Sequence, residues 1–118
     1  MRKVITISGK EYSMKSSAYT QFKYKDVTGR KMLDDIQQIS KVNQMSEEEQ
    51  ITQMENVLEL LLQIAYIMIE EADASQVTTF DDFLKNIDGL FDTTEWINDV
   101  IELATSPISR GLQTHPQE

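Results

Sequence analysis

The sequence has no cysteine, one histidine, two prolines and four glycines. Without cysteine there is no disulfide, no thiolate nucleophile and no Cys-ligated zinc or iron–sulfur site, which is compatible with a reducing compartment. The single histidine, His115, lies in a polar tail with no second His or Cys. It reads as a free imidazole, not as a metal ligand or catalytic base. Gly9, Gly29, Gly89 and Gly111 stand far apart, so no glycine-rich phosphate cradle exists. Long apolar runs are also missing. The longest, Val57 to Ile69, has 13 residues and includes Glu59 and Gln63, whereas a spanning helix needs about 20. The start, MRKVITISGKEY, lacks the apolar stretch of a signal peptide, so the expected location is the cytoplasm. Basic side chains are the scarce charge: eleven against twenty acids leave a net −9. That balance repels phosphate backbones and anionic membranes, and neither nucleic acid nor a membrane is expected as a partner.

What is present is the composition of an ordinary globular domain, with 118 residues of which 40% are hydrophobic and 26% charged. One domain over residues 1–109 is expected, followed by a flexible tail over 110–118. The charges are segregated. Residues 1–45 carry nine basic and four acidic side chains, and residues 46–118 carry two and sixteen.

Alternation over Lys3 to Lys15, with Val4, Ile5 and Ile7 before a Ser8-Gly9-Lys10 turn, predicts a short β-hairpin. Such a hairpin is marginal alone and must pack on helices or on another chain. Ser16 or Ser17 caps a helix through Lys25 that Gly29 stops. A second helix runs from Lys31 to about Val42, with Met32, Leu33, Ile36, Ile39 and Val42 as its apolar stripe. Ser46-Glu47-Glu48-Glu49 is a capping box. It opens a helix of roughly seven turns that ends near Asp73, apolar on more than one face between Val57 and Ile69. Thr79 and Asp82 start a shorter helix, Phe80 to Ile87, with Phe80, Phe83, Leu84 and Ile87 inward. The last helix begins at Thr93 or Thr94, carries Trp96, Ile97, Val100, Ile101, Leu103 and Ala104, and is closed by Pro107. The fold class expected is α+β, mainly α: an N-terminal hairpin and about five helices around a central apolar one.

Catalytic and metal chemistry find little to stand on. The neighbours Asp34-Asp35, Glu70-Glu71 and Asp81-Asp82 do not face each other on a helix and read as solvated faces. Asp81, Asp82, Asp88 and Asp92 miss the spacing of a calcium loop, so no metal or other cofactor is expected. The interleaved Tyr19, Phe22, Lys23, Tyr24 and Lys25 admit two readings, a base-stacking surface or a core face with a solvated back, and the helical spacing of Tyr19, Phe22 and either Tyr24 or Val27 favours the core. Met32, Met45, Met54 and Met68 read as gap-fillers in a core.

Val4-Ile5-Thr6-Ile7-Ser8-Gly9-Lys10-Glu11-Tyr12, Ser17-Ala18, Phe22-Lys23-Tyr24-Lys25, Gly29-Arg30 and Leu33-Asp34-Asp35-Ile36 resemble the tail assembly chaperones of long-tailed bacteriophages and prophages, those of Gram-positive hosts above all. Thr28 and Lys31 depart from that pattern. Phe83 to Asp88 and Trp96 to Ala104 are loosely similar to the family's C-terminal helices. The resemblance implies a non-enzymatic protein of the host bacterial cytoplasm that binds and solubilises the tape-measure protein, helps recruit tail-tube subunits through a longer frameshifted form, and is absent from the finished particle. The apolar residues expected to meet the partner are Met54, Leu58, Leu61, Trp96 and Ile101, for which core packing is the competing reading. Self-association is expected as well, because a hairpin edge and an all-round apolar helix seek partners and the basic N-terminal segment can meet an acidic surface on a neighbour. The competing function is a small acidic antagonist whose acids imitate nucleic acid and occupy a DNA-binding protein.

Overall fold

Ser8 and Gly9 both take positive φ, 54° and 81°, the backbone of a two-residue type I′ turn. This turn pairs β1 (Arg2–Ile7) antiparallel with β2 (Lys10–Lys15). Alternation sends Ile5, Ile7, Tyr12 and Met14 to one face, where all four are buried, and leaves Arg2, Val4, Thr6 and Glu11 on the other. The computed structural model describes residues 2–42, 46–87 and 95–114. Its helices are α1 (Ala18–Thr28), α2 (Met32–Val42), α3 (Glu47–Ala72), α4 (Phe80–Lys85) and α5 (Glu95–Thr114), with a 3₁₀ turn at Ala74–Gln76 between α3 and α4. The fold is α+β and mostly α.

α3 is the centre. Ser46 caps it, accepting from the Glu49 amide, and Glu47, Glu48 and Glu49 sit at the positive end of its dipole. Between Val57 and Ile69 it buries Val57, Leu58, Leu61, Leu62, Ile64, Ala65, Ile67, Met68 and Ile69. That is more than one face, as a helix packed on several neighbours requires: β2, α1, α2, α4 and α5 all contact it. α2 adds Met32, Ile36 and Ile39 to the core. Leu33, expected in the same stripe, is instead exposed, because it lies one residue beyond Met32 and the 100° step carries it to the rim. α4 docks through Phe83, whose ring meets Tyr12 edge-on at 5.6 Å and Tyr66 at 5.8 Å. Leu84 is exposed against expectation, again one residue from the buried position in a helix too short to turn it inward.

Gln76, in the 3₁₀ turn that sequence periodicity did not reveal, uses its side-chain amide like a strand. Its Oε1 accepts from the Ser13 amide at 2.9 Å and its Nε2 donates to the Ser13 carbonyl at 3.0 Å. The outer edge of β2 is thereby occupied.

α5 corrects one expectation. Pro107 does not close it, and the helix continues to Thr114. Proline lacks the N–H that would reach the Leu103 carbonyl and crowds that carbonyl with its ring. Here the Leu103 oxygen accepts from Ser16 Oγ at 2.6 Å and from Ser106 Oγ at 2.8 Å. The same Ser16 bond ties the exit of the hairpin to α5. Among the described residues, no helix is long and apolar enough to cross a membrane.

Candidate functional site

α1 is built inside out relative to an ordinary amphipathic helix. Ser17, Thr20, Tyr24 and Thr28 recur at spacings of three and four, so they share one face, and every one carries a hydroxyl. This face turns inward. Ser17 caps the helix by accepting from the Tyr19 amide, while its own hydroxyl donates to Glu71 Oε2 at 2.7 Å. Thr20 Oγ1 donates to Glu71 Oε1 at 2.7 Å and accepts from the Ser17 amide, completing the capping box. Tyr24 Oη donates to Asp35 Oδ2 at 2.6 Å, and Thr28 Oγ1 donates to the Tyr24 carbonyl at 2.7 Å. Gly29, at φ 74°, closes the helix with its amide on the Lys25 carbonyl.

The two acids that receive these hydroxyls are Glu71 on α3 and Asp35 on α2. Both were expected on solvated faces. Asp35 is buried and Glu71 half-buried, and the reason is position: Asp35 falls with Met32, Ile36 and Ile39 on the inner stripe of α2, and Glu71 follows Ile64, Ile67 and Met68 on that of α3. Arg30 completes the Asp35 site from the α1–α2 turn, with Nη2 on Oδ1 at 2.6 Å and Nε on Oδ1 and Oδ2 at 3.1 and 3.0 Å. Burial pushes the Asp35 carboxyl up, but the bonds from Arg30 and Tyr24 and the Arg30 charge outweigh it and hold the group below the ordinary carboxylate range. Burial, then the hydrogen bond to Asp35, pushes the Tyr24 phenol well above its ordinary value.

With hydroxyls inside, the other two aromatic residues of α1, Tyr19 and Phe22, face out. Phe22 is 71% exposed and Tyr19 53%, and Val27 is exposed beside them. Lys23 and Lys25 flank this face and Asp26 stands within it. The expectation of Tyr19 and Phe22 in the core is corrected, while Tyr24, expected there as well, is buried: the spacing was helical, but the hydroxyl stripe won the inner face because a buried and a half-buried carboxylate needed donors. A helix that leaves a phenylalanine largely exposed while pinned by inward polar anchors presents an apolar knob of the kind that dominates interface energetics.

The partner residues expected from sequence fare differently. Leu58, Leu61 and Trp96 are buried in the core of the chain itself, as the competing core reading has them. Met54 and Ile101 are half-buried against that core and keep part of their surface. Trp96 Nε1 is the buried side-chain polar atom that lacks a partner among the described residues.

A cleft of about 490 Å³ lies beside α1, where Gln38, Asn56, Glu59 and Gln63 line it with Tyr24 and Arg30. Its arginine is committed to Asp35 and its Thr28 hydroxyl to the Tyr24 carbonyl. These groups can hydrogen-bond a ligand. Asp82 serves α4, where it accepts from Thr78 Oγ1 at 2.6 Å while its amide donates to the Thr79 cap. Asp88, Asp92 and His115 lie outside the described residues. Comparison with protein-family models, with curated proteins and with solved structures finds no match for this chain.

Proposed function

We propose that the protein is a non-enzymatic assembly chaperone that holds an apolar helical client through the outer face of α1. The client class that the sequence resemblance supports is the tape-measure protein of a long-tailed bacteriophage, held in the host cytoplasm. Tail-tube subunits are recruited by a longer frameshifted form, and the chaperone is left out of the finished particle. The observation that carries the reading is the exposed Tyr19–Phe22 pair on a helix held by a part-buried hydrogen bond from Thr20 to Glu71 and a buried one from Tyr24 to Asp35. An amphipathic client helix would lay apolar side chains against Tyr19, Phe22 and Val27, with its own acids toward Lys23 and Lys25.

The same aromatic and lysine pattern favours a second reading, stacking of single-stranded nucleic acid. Asp26 within the face and the net charge of −9 weigh against it. The antagonist reading, in which the acids imitate phosphates, is weakened by the acids already engaged within the chain: Asp35 with Arg30 and Tyr24, Glu71 with Ser17 and Thr20, Asp73 with Ser75, and Asp99 with Lys3.

Co-expression tests the proposal. The wild-type chain should keep the cognate tape-measure protein soluble and co-purify with it. Phe22→Glu should abolish both without lowering the melting temperature, since the side chain is on the surface. If the wild type fails to hold the client, or Phe22→Glu holds it equally well, the proposal is wrong. Retention of a single-stranded oligonucleotide at physiological salt would favour the second reading.

A further inference from the structure

The hairpin has two outer edges, and they are treated differently. In a two-residue turn the closing pair Ile7 and Lys10 exchange hydrogen bonds, so Ile5 with Tyr12 and Lys3 with Met14 do the same. The main chain of Ser13 therefore points away from β1, and that is where Gln76 binds it. By the same alternation the amides and carbonyls of Arg2, Val4 and Thr6 point away from β2. No hydrogen bond from elsewhere among the described residues reaches them. Val4 is 57% exposed, and β1 has neither proline nor bulge to blunt it.

We infer that this edge pairs with the same edge of a second copy, antiparallel, with Val4 on the two-fold axis. The register is self-complementary. Val4 of one copy exchanges bonds with Val4 of the other, and Arg2 and Thr6 of one with Thr6 and Arg2 of the other. Any shift that keeps these groups facing moves in steps of two residues and leaves an outward pair unpaired.

Charge favours this arrangement. On the solvent face the Arg2 and Lys15 end of one hairpin lies against Thr6 of the second copy, with Glu11 of that copy on the next strand. The two Arg2 residues are four residues apart along the paired strands, roughly 14 Å at the rise of a β-strand, beyond the screening length at physiological salt. Lys3, on the other face, is already held by Asp99 of its own chain at 3.2 Å and does not oppose the approach. The product is a four-stranded sheet in place of a two-stranded one that is marginal by itself. This inference does not rest on the client proposed above, since the α1 face and the β1 edge are separate surfaces.

Three substitutions test it on the full chain. The Val4 amide points outward, so Val4→Pro removes a donor from the edge and none from the hairpin. Because the chain has no cysteine, Val4→Cys introduces one thiol, placed opposite itself across the axis at the spacing of a hydrogen-bonded antiparallel pair, about 5.5 Å between Cα atoms and within disulfide range. Thr6→Cys would put its two thiols roughly 14 Å apart. Sedimentation of the wild type at tens of micromolar should give twice the 13.6 kDa chain mass. Val4→Pro should give the single-chain mass with an unchanged far-UV spectrum, and Val4→Cys should cross-link under mild oxidation where Thr6→Cys does not. A wild type that stays at 13.6 kDa, a folded Val4→Pro variant that stays dimeric, or equal cross-linking of the two cysteine variants would each overturn the proposal. So would a Val4→Pro variant that loses only the client, which would assign the edge to an extended segment of another protein.

Discussion

Removing the Asp35 carboxylate is the sharpest way to ask whether α1 is held by its hydroxyls. In Asp35→Ala the Tyr24 hydroxyl, which is fully buried, loses its acceptor. Leaving a buried donor unpaired costs about 1–3 kcal/mol. Arg30 adds nothing to this, because its side chain is 55% exposed and turns to water when released. That is why the larger penalty of stranding a buried charge does not apply. Tyr24→Phe is gentler: Asp35 keeps the Arg30 fork, and the loss is that of one hydrogen bond, about 1 kcal/mol. Both changes delete the same interaction, so the double variant carries no orphaned hydroxyl and should cost less than the sum of the two. The expected coupling is about 1–2 kcal/mol, and Tyr24→Phe should be neutral or stabilising once Asp35 is gone.

Urea unfolding followed by the fluorescence of Trp96, the single tryptophan and buried in the native chain, reads all four corners of this cycle. The denaturant slope should stay constant, so that midpoints report stability alone. For a chain of this size 1 kcal/mol corresponds to about 4 °C of melting temperature, which gives thermal unfolding enough resolution to agree or disagree. Additivity within about 0.5 kcal/mol would refute the reasoning. It would mean that α1 is positioned by something other than the Tyr24–Asp35 bond.

Four other outcomes follow from single features. The Tyr24 phenol is raised by burial first, so its contribution is fully present below the unfolded value of about 10 and is lost as pH climbs above it. Tyr24→Phe should flatten the fall in melting temperature between about pH 10 and 11.5 in part only, since burial raises Tyr12 and Tyr66 in the same direction. Asp35 acts at the other limit: its stabilisation is present above about pH 4 and is lost as the pH drops through its lowered native value. Ser16→Ala should cost about 1 kcal/mol because the Leu103 carbonyl loses one of two donors, and the cost should shrink when Pro107→Ala restores the helical N–H, as midpoints of the two backgrounds would show. Gly29→Ala should destabilise by about 1 kcal/mol from the left-handed φ alone, as nothing lies within 4 Å of the added methyl. A stability unchanged by that substitution would contradict the cap assignment.

The elements that periodicity and caps could announce were legible. Ser46, Thr79 and Gly29 mark ends that the structure keeps, and the apolar density of Val57 to Ile69 places α3 at the centre. Legibility failed where a rule of local sequence was overruled by a partner distant in the chain. Pro107 is a helix terminator by every local criterion. It is tolerated because Ser16, some ninety residues away, supplies the Leu103 carbonyl with the hydrogen bond that proline withholds. The Gln76 amide, likewise, belongs to no periodic pattern, and its role exists only because it meets the strand edge at Ser13.

The α1 surface was misread for a different reason. Hydrophobic spacing asks which side chains leave water, and on α1 the apolar residues at helical spacing are Tyr19, Phe22 and Val27. The competing stripe Ser17, Thr20, Tyr24, Thr28 carries little apolar area and so gives no hydrophobic signal. Its cue lay on other helices: an acid at an inner-stripe position of α2 and another on α3, Asp35 buried and Glu71 half-buried, each a charge that must find donors. Two carboxylates need more donors than Arg30 can provide, and the hydroxyl helix is what provides them. Once that demand fixes the inner face of α1, Phe22 has nowhere to go but outward. The exposed aromatic face is thus a consequence of charge satisfaction in the core, and changes confined to Tyr19 and Phe22 should alter recognition while leaving the fold in place.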